Sequence, residues 1–322
     1  MRSLTTTVDC HLSGGTLASL AADVRHGMGL PLKEIPPKYF YDERGSELFD
    51  AITRLPEYYP TRCERRLLNR HAPEIAELTG AEELVELGSG TASKTRALLY
   101  AMAGRGSLRA YVPFDCSEAV VRDCVELLAE LYPGITLHGV VGDFDSHLEL
   151  VPPGRSRLTA FLGGTIGNLY PLERSMFLER LAGMAEPGDW VLVGTDLVKA
   201  RPVVEAAYND EAGVTAEFNL NVLRVLNREL DANFDPDCFE HVAFFDDATQ
   251  WIDMRLHATE DQAVEIPGAA VSANIAAGEE IRTEISAKFT PERIAAEIEE
   301  AGFEPLRFYT DGMFGLTLAR LP

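Results

Sequence analysis

The 322-residue sequence predicts an α/β protein, a parallel sheet of the nucleotide-binding type carrying a second, discontinuous α+β domain. Three observations predict it. Short apolar runs alternate with amphipathic stretches through the middle of the chain. A glycine loop follows the first of those runs. The alternation breaks between about residues 197 and 286 and then resumes.

The runs lie at 84–87, 110–114, 135–141, 158–162 and 190–193. They end in GSGT, in Asp115, in Gly142 and Asp143, in Gly163 and Gly164, and, for the last, follow the turn EPGD at 186–189. Five strands separated by helices imply βαβ units with right-handed crossovers. Pro113 removes a ladder donor, so the second strand is expected to be shortened or irregular. Between strands, Val120, Cys124, Leu127, Leu128 and Leu131 recur at helical spacing behind Ser117 as N-cap. Residues 201–230 read as helix, and 240–289 as antiparallel strands with alternating faces. Thr290 and Pro291 then start a helix that passes Ile294 and Ile298 and stops at Gly302. Runs at 306–309 and 314–318 close the chain. The boundaries give a nucleotide-type domain of 60–196 and 287–322 and a second domain of 1–59 and 197–286.

Composition narrows the partners. Lys and Arg number 29 against 51 Asp and Glu, a formal charge of −22, which repels phosphate backbones and anionic lipid. No apolar run approaches the ~18 residues of a membrane span, and the N-terminus lacks a signal-peptide core. Five cysteines form no CxxC pair and seven histidines no HxH or HxxxH spacing. A disulfide framework and a metal site are therefore not expected. A cytoplasmic, monomeric enzyme is expected, with no nucleic-acid or membrane partner.

The glycine loop LVELGSGTASKT (84–95) admits several chemistries. Ser93 occupies the third glycine of a dinucleotide fingerprint and the second glycine of an ATP phosphate loop, although Gly88, Lys94 and Thr95 fit the latter. A plain strand-to-helix turn is a further reading, with the helix starting near Ser93. The remaining reading is the ExGxG loop of S-adenosylmethionine (SAM) methyltransferases, with Glu86 two residues before Gly88. Asp115, ending the second strand, is then placed to accept from both ribose hydroxyls. Asp143, ending the third, can accept from the adenine amino group, and Phe144 can flank the ring. Alone, either acid reads as a loop cap. Together they sit at carboxyl ends of adjacent strands, where ligands bind in open α/β sheets. No GxSxG elbow or Cys–His pair suggests covalent catalysis.

Longer motifs extend this. KYFYDERGSELFDAITRLPEYYPTR (38–62), VELGSGTASKT (85–95), FLGGTIGNL (161–169), VLVGTDLVK (191–199), VTAEFNLNVL (214–223) and AGEEIRTEISAKF (277–289) resemble the histidine-specific Nα-methyltransferase family of ergothioneine biosynthesis. The resemblance covers almost the whole chain from about residue 35. It implies a Rossmann-like class I SAM-dependent methyltransferase fold with a discontinuous α+β substrate-binding domain. It also implies trimethylation of the α-amino group of L-histidine to hercynine, with SAM as co-substrate and no metal. Carried over by motif, the cofactor contacts are Gly88, Lys94, Asp115, Asp143 and Phe144. The histidine contacts are Tyr41, Tyr58, Asn168, Tyr208, Met254, Glu284 and Ser286. Tyr41, Asn168 and Glu284 would act by positioning. Tyr39 stands where the family pattern has Trp, Gly164 where it has Ser, and the closing run YTDGMFGLTL is short.

The chemistry suits these residue types. Methyl transfer needs a neutral amine, held in line. Each round removes one N–H donor, so recognition must rest on the parts that stay constant, the carboxylate and the imidazole. Tyrosine hydroxyls and an asparagine amide can donate to the former, and a glutamate can accept from the latter. Strict alternation along IRTEISAKF puts Ile281, Thr283, Ile285, Ala287 and Phe289 on one face and Arg282, Glu284, Ser286 and Lys288 on the other. By pattern alone that second face is solvated, Met254 is core, Asn168 is a left-handed turn residue, and Tyr58 and Tyr59 are packing aromatics. Competing expectations are a paralogue acting on another amino acid such as tryptophan, an ATP-binding protein, and a SAM-binding module without activity.

Overall fold

A computed structural model describes residues 6–11 and 16–322. The chain begins with β1 (Thr6–Cys10), α1 (Thr16–Gly27), β2 (Lys33–Glu34), α2 (Glu43–Ile52) and α3 (Pro60–Thr79). Next come β3 (Glu83–Leu87), α4 (Arg96–Gly104), β4 (Ala110–Asp115), α5 (Glu118–Leu131), β5 (Thr136–Val141) and α6 (Phe144–His147). They are followed by β6 (Arg157–Phe161), α7 (Pro171–Met184), β7 (Trp190–Asp196), α8 (Arg201–Tyr208) and α9 (Val214–Glu229). Then come β8 (Phe239–Asp246), β9 (Trp251–Ala258), β10 (Gln262–Ile266), β11 (Val271–Ile275) and β12 (Glu280–Ala287). The chain closes with α10 (Pro291–Glu300), β13 (Glu304–Thr310) and β14 (Phe314–Arg320).

Two compact units divide these elements. The first holds β1, Pro60–Val198 and Phe289–Pro322, around an eight-stranded sheet of order β1-β5-β4-β3-β6-β7-β14-β13. Strands β3, β6 and β7 are buried almost end to end, which is why they read as unbroken apolar runs. The order reverses between β3 and β6, the switch point where ligands bind in open parallel sheets, and the GSG loop leaves β3 there. This is an open, doubly wound sheet of the nucleotide-binding type.

Several expectations change in detail. Pro113 leaves β4 at its full six residues and pairs with Glu86 of β3; pairing towards β5 skips 112 and 113. The strand is irregular, not shortened. Helix α5 is capped by Ser117 as expected, but Val121, Cys124, Val125 and Leu128 are buried, while Leu127 and Leu131 are exposed. The closing runs do not resume the parallel rhythm. They form an antiparallel hairpin, because only 311–313 join them and a parallel crossover needs about a dozen residues. Strand β1 pairs in parallel with β5, although the sequence assigned all of 1–59 to the other domain. It is a polar, largely exposed edge strand with no apolar run to announce it.

The second unit contains the four-stranded sheet β2-β12-β9-β8, the hairpin β10-β11, and helices α1, α2, α8 and α9. The single helix expected over 201–230 is two. The Asp210 carboxylate accepts from the N–H groups of Val214 (2.9 Å) and Thr215 (2.7 Å), and Gly213 adopts φ +74°, so the chain turns and restarts there.

Candidate functional site

In the first unit, the sites carried over for the cofactor meet at the carboxyl ends of β3, β4 and β5. Gly88 and Ser89 donate their N–H groups to the Phe114 carbonyl, at 2.8 and 3.0 Å. Gly88 and Gly90 both have positive φ, +73° and +49°, which a side chain would strain. The Asp115 carboxylate accepts from Gly90 N–H at 2.8 Å and from Ser117 N–H at 3.1 Å. A carboxylate has about four acceptor directions, so two remain for ribose hydroxyls. Phe144 stacks on Phe114 with centroids 5.4 Å apart, and its ring lies against Gly88. Asp143 precedes that ring and starts α6, accepting from His147 N–H with its backbone carbonyl. Gly88, Asp115, Asp143 and Phe144 thus surround one loop mouth.

Two residues behave differently. Helix α4 starts at Arg96, later than Ser93, and Glu86 is buried beneath its first turn, accepting from Thr95 and, at 2.5 Å, from Tyr111. Burial pushes the Glu86 carboxyl up to about 7. Glu86 therefore braces the loop from inside. Lys94 is ion-paired at 2.5 Å with Glu64, which is fully buried in α3 and whose other oxygen accepts from Gly163 N–H at 2.7 Å. A lysine already paired in this way suits a phosphate loop poorly. Sequence reasoning missed Glu64, an acid set among Arg62, Arg65 and Arg66 at the start of α3. Asn168 sits at the end of the 165–168 turn that follows β6. Asn168 is not left-handed, contrary to its pattern; the left-handed positions of this turn are Gly163 and Gly164, at φ +83° and +71°, so glycine at 164 suits the backbone.

In the second unit, six residues carried over for the substrate form one linked cluster. Tyr41 is edge-on to Phe49 and Phe218, Phe49 to Tyr58, and Tyr58 to Tyr208, with centroids 5.6–6.2 Å apart. The loop bearing Tyr41 is held by Asp42, which caps α2 through Gly45 N–H and accepts from Asn221 and Arg228. Tyr39 donates to Asp23 at 2.7 Å. Tyr208 and Ser286 hydroxyls lie 2.7 Å apart.

A β-bulge decides what Glu284 faces. Arg282 pairs with Arg255 and Glu284 with Met254, so β12 carries Thr283 as an extra residue. Arg255 and Met254 are consecutive on β9 and point to opposite faces, so Arg282 and Glu284 do as well. Strict alternation put them side by side; the structure corrects this. Arg282 turns to Asp253 (2.9 and 2.6 Å) and Glu34 (3.0 Å). Glu284 keeps Met254 and Ser286 on its own face. It is 9% exposed, and among the described residues no hydrogen bond or ion pair reaches its carboxylate. Burial raises that carboxyl to about 7, opposed by the positive charge of Lys288. Phe49, Phe218 and Lys288 were missed as site residues, because by sequence they read as packing or as a solvated face.

Behind Tyr208 lies His241. Its Nε2 faces the Tyr208 carbonyl at 2.8 Å, and its Nδ1 faces the Asn219 amide nitrogen at 2.9 Å. That pattern takes a neutral ring, donating from Nε2 and accepting at Nδ1. Burial lowers its pKa below the ordinary 6.5. The sign follows: the contribution is intact above 6.5 and is lost as pH falls through the folded value. Thermal melts should therefore show a downward step on acidification below pH 6.5 that His241→Gln flattens. A step of unchanged size in the variant would refute this.

Among the described residues there is no group of three or more His, Cys, Asp or Glu that could hold a metal ion, and no helix is long and apolar enough to cross a membrane.

The chain matches the model of a histidine-specific, SAM-dependent methyltransferase family over residues 20–321. It is 49% identical over 303 residues to a histidine N-alpha-methyltransferase of Mycobacterium tuberculosis, covering 94% of each chain. It is 50% identical, with the same coverage, to a histidine N-alpha-methyltransferase of Mycolicibacterium smegmatis. It is also 34% identical over 201 residues to ergothioneine biosynthesis protein 1 of Neurospora crassa, covering 61% of this chain and 23% of that one.

Proposed function

We propose that this chain, which belongs to the histidine-specific, SAM-dependent methyltransferase family, methylates the α-amino nitrogen of L-histidine three times to give hercynine, a step of ergothioneine biosynthesis. The observation that carries the reading is the buried Glu284 carboxylate beside Ser286 and Met254, which no hydrogen bond or ion pair reaches among the described residues. An imidazole is the amino-acid side chain that offers a small, flat ring with one N–H donor and one acceptor, to match a carboxyl and a hydroxyl together.

In this reading Gly88, Lys94, Asp115, Asp143 and Phe144 hold SAM, which supplies an electrophilic methyl group. The glycine loop fits that group, since Gly88 and Gly90 keep its mouth clear of side chains and Asp115 has acceptor directions left beyond those used by Gly90 and Ser117. For Lys94 the role is indirect, through the Glu64 pair that fixes Gly163. Within the second unit, Tyr58 and Tyr208 donate to the substrate carboxylate, while Tyr41, Met254, Glu284 and Ser286 enclose the imidazole. None of these contacts requires an N–H on the reacting nitrogen, so they persist through three rounds. The enzyme is read as a cytoplasmic monomer, in keeping with five cysteines that show no pairing motif; light scattering on the eluting protein checks its mass.

Mass spectrometry of L-histidine incubated with SAM and the protein should show gains of one, two and three methyl groups, with the trimethylated species accumulating. A protein that binds SAM and leaves histidine unmodified would overturn the reading.

A further inference from the structure

Asp143 and Phe144 stand on a short closed segment of the first unit, and His147 closes it. The backbone N–H of Asp143 donates to His147 Nδ1 at 3.1 Å, and the His147 N–H donates to the Asp143 carbonyl at 2.8 Å. A backbone amide can only donate, so Nδ1 carries the lone pair and the ring is in the Nε2–H form. Gly142 makes room for the closure, since a Cβ there would lie 2.9 Å from His147 Cβ and 2.9 Å from the Phe114 ring. The Gly142 N–H donates to the Asp115 carbonyl at 2.9 Å, which ties the segment to the end of β4. The His147 ring stacks on His11, with centroids 6.3 Å apart. From α7, Arg180 donates to the Phe144 carbonyl at 3.0 Å and grips Glu149 with two bonds of 2.7 and 2.9 Å.

We propose that His147 is a positioning residue for the adenine end of SAM, acting through Asp143. The inference rests on the reading in which the Asp143 carboxylate accepts from the adenine amino group. Such a carboxylate points one way only if its own backbone is fixed. Asp143 lies beyond the end of β5 at Val141, where ladder bonds no longer hold the chain. The reciprocal pair with His147 fixes the peptide groups on both sides of Asp143, the amide through the ring and the carbonyl through the backbone. Nδ1 is the imidazole nitrogen nearer the backbone, so a residue one helical turn on can reach back to that amide. Packing against His11 and Gly142 needs only a ring at 147. The Asp143 amide needs an acceptor at the place of Nδ1. Asparagine supplies that acceptor with Oδ1, whereas phenylalanine keeps the ring and its stack without it.

The test is calorimetry on the full-length protein with two ligands, S-adenosylhomocysteine and S-inosylhomocysteine. The second keeps the ribose and amino-acid ends and puts a carbonyl where the adenine amino donor stood. Wild type should bind it about 10- to 100-fold more weakly, since the Asp143 carboxylate then faces an acceptor. His147→Phe should bind S-adenosylhomocysteine about 5- to 50-fold more weakly than wild type, and His147→Asn within about threefold of it. On S-inosylhomocysteine, His147→Phe should fall within about threefold of wild type, because the contact that His147 supports is already lost. An equal loss on both ligands would mean that His147 only supports the fold, and would overturn the proposal while leaving the Asp143 reading intact. So would His147→Asn as weak as His147→Phe, or His147→Phe as tight as wild type. Wild-type binding of the two ligands within about threefold of each other would overturn the Asp143 reading and the proposal together. Should His147→Phe fail to fold, His147→Leu, which also lacks the acceptor, takes its place under the same criteria.

Discussion

Glu284→Gln should lower kcat/KM for L-histidine by about 10- to 150-fold, the range expected for losing a hydrogen bond to a charged group. SAM affinity should stay within about twofold, since the glycine loop belongs to the other unit of the chain. The same substitution carries a stability signature of opposite sign. In the folded chain burial raises the Glu284 carboxyl from 4.5 to about 7. A raised carboxyl contributes stability that is fully present below 4.5 and is lost as pH rises through about 7. At pH 8 the wild type therefore carries a penalty on the order of 3 kcal/mol from this group, at about 1.4 kcal/mol per pK unit. Glutamine has no such titration. The melting temperature of Glu284→Gln relative to wild type should rise between pH 5 and pH 8, as activity on histidine falls. A protein that is destabilised at a site in order to bind there shows this trade. Wild-type selectivity in a panel of histidine and tryptophan with Glu284→Ala would end the imidazole assignment, and a flat pH difference in the melts would end the electrostatic one.

Parallel strands buried on both faces are continuous apolar runs, and their carboxyl ends are marked by Asp115, Asp143 and Gly163, so the first unit was largely legible in the sequence. Strand β1 was not, because an exposed edge strand has no apolar signature. The second unit was legible only in its strand rhythm. A period of two cannot reveal where an extra residue enters a ladder, and the bulge at Thr283 reverses the side on which Arg282 lies. The consequence is large, since an arginine beside Glu284 would have neutralised it. Lys288 and Glu64 were hidden for a common reason. A charged side chain in a helix or strand reads as solvent-facing, and only tertiary packing shows that these two are 0% exposed. Their partners lie far away in sequence: Glu64 meets Lys94 and Gly163, and Lys288 meets Tyr208.

Asp115→Ala should reduce SAM affinity by at least about 100-fold, because two losses fall on one residue. The first is internal. Asp115 holds Gly90 N–H at 2.8 Å and Ser117 N–H at 3.1 Å, so alanine frees both the glycine loop and the first turn before α5. The second is the ribose, whose two hydroxyls would lose their acceptor. Asp115→Asn separates the two. Its side-chain oxygen can still accept from Gly90 N–H, so the loop keeps its main tether, and the melting temperature should stay near wild type. Its amide nitrogen donates, and cannot accept from a hydroxyl at the place where the second carboxylate oxygen stood. Calorimetry with S-adenosylhomocysteine should therefore show Asp115→Asn weakened by about 10- to 100-fold, between wild type and alanine. If the asparagine variant binds within about threefold of wild type, Asp115 is a loop tether alone, and the ribose must be held elsewhere. If asparagine is as weak as alanine while the melting temperatures of the two agree, the loop tether matters little and the carboxylate acts almost wholly on the ligand. The intermediate result is the expected one, because the same two oxygens that order the loop also face its mouth, so the cofactor is bound by a site whose shape it helps to complete.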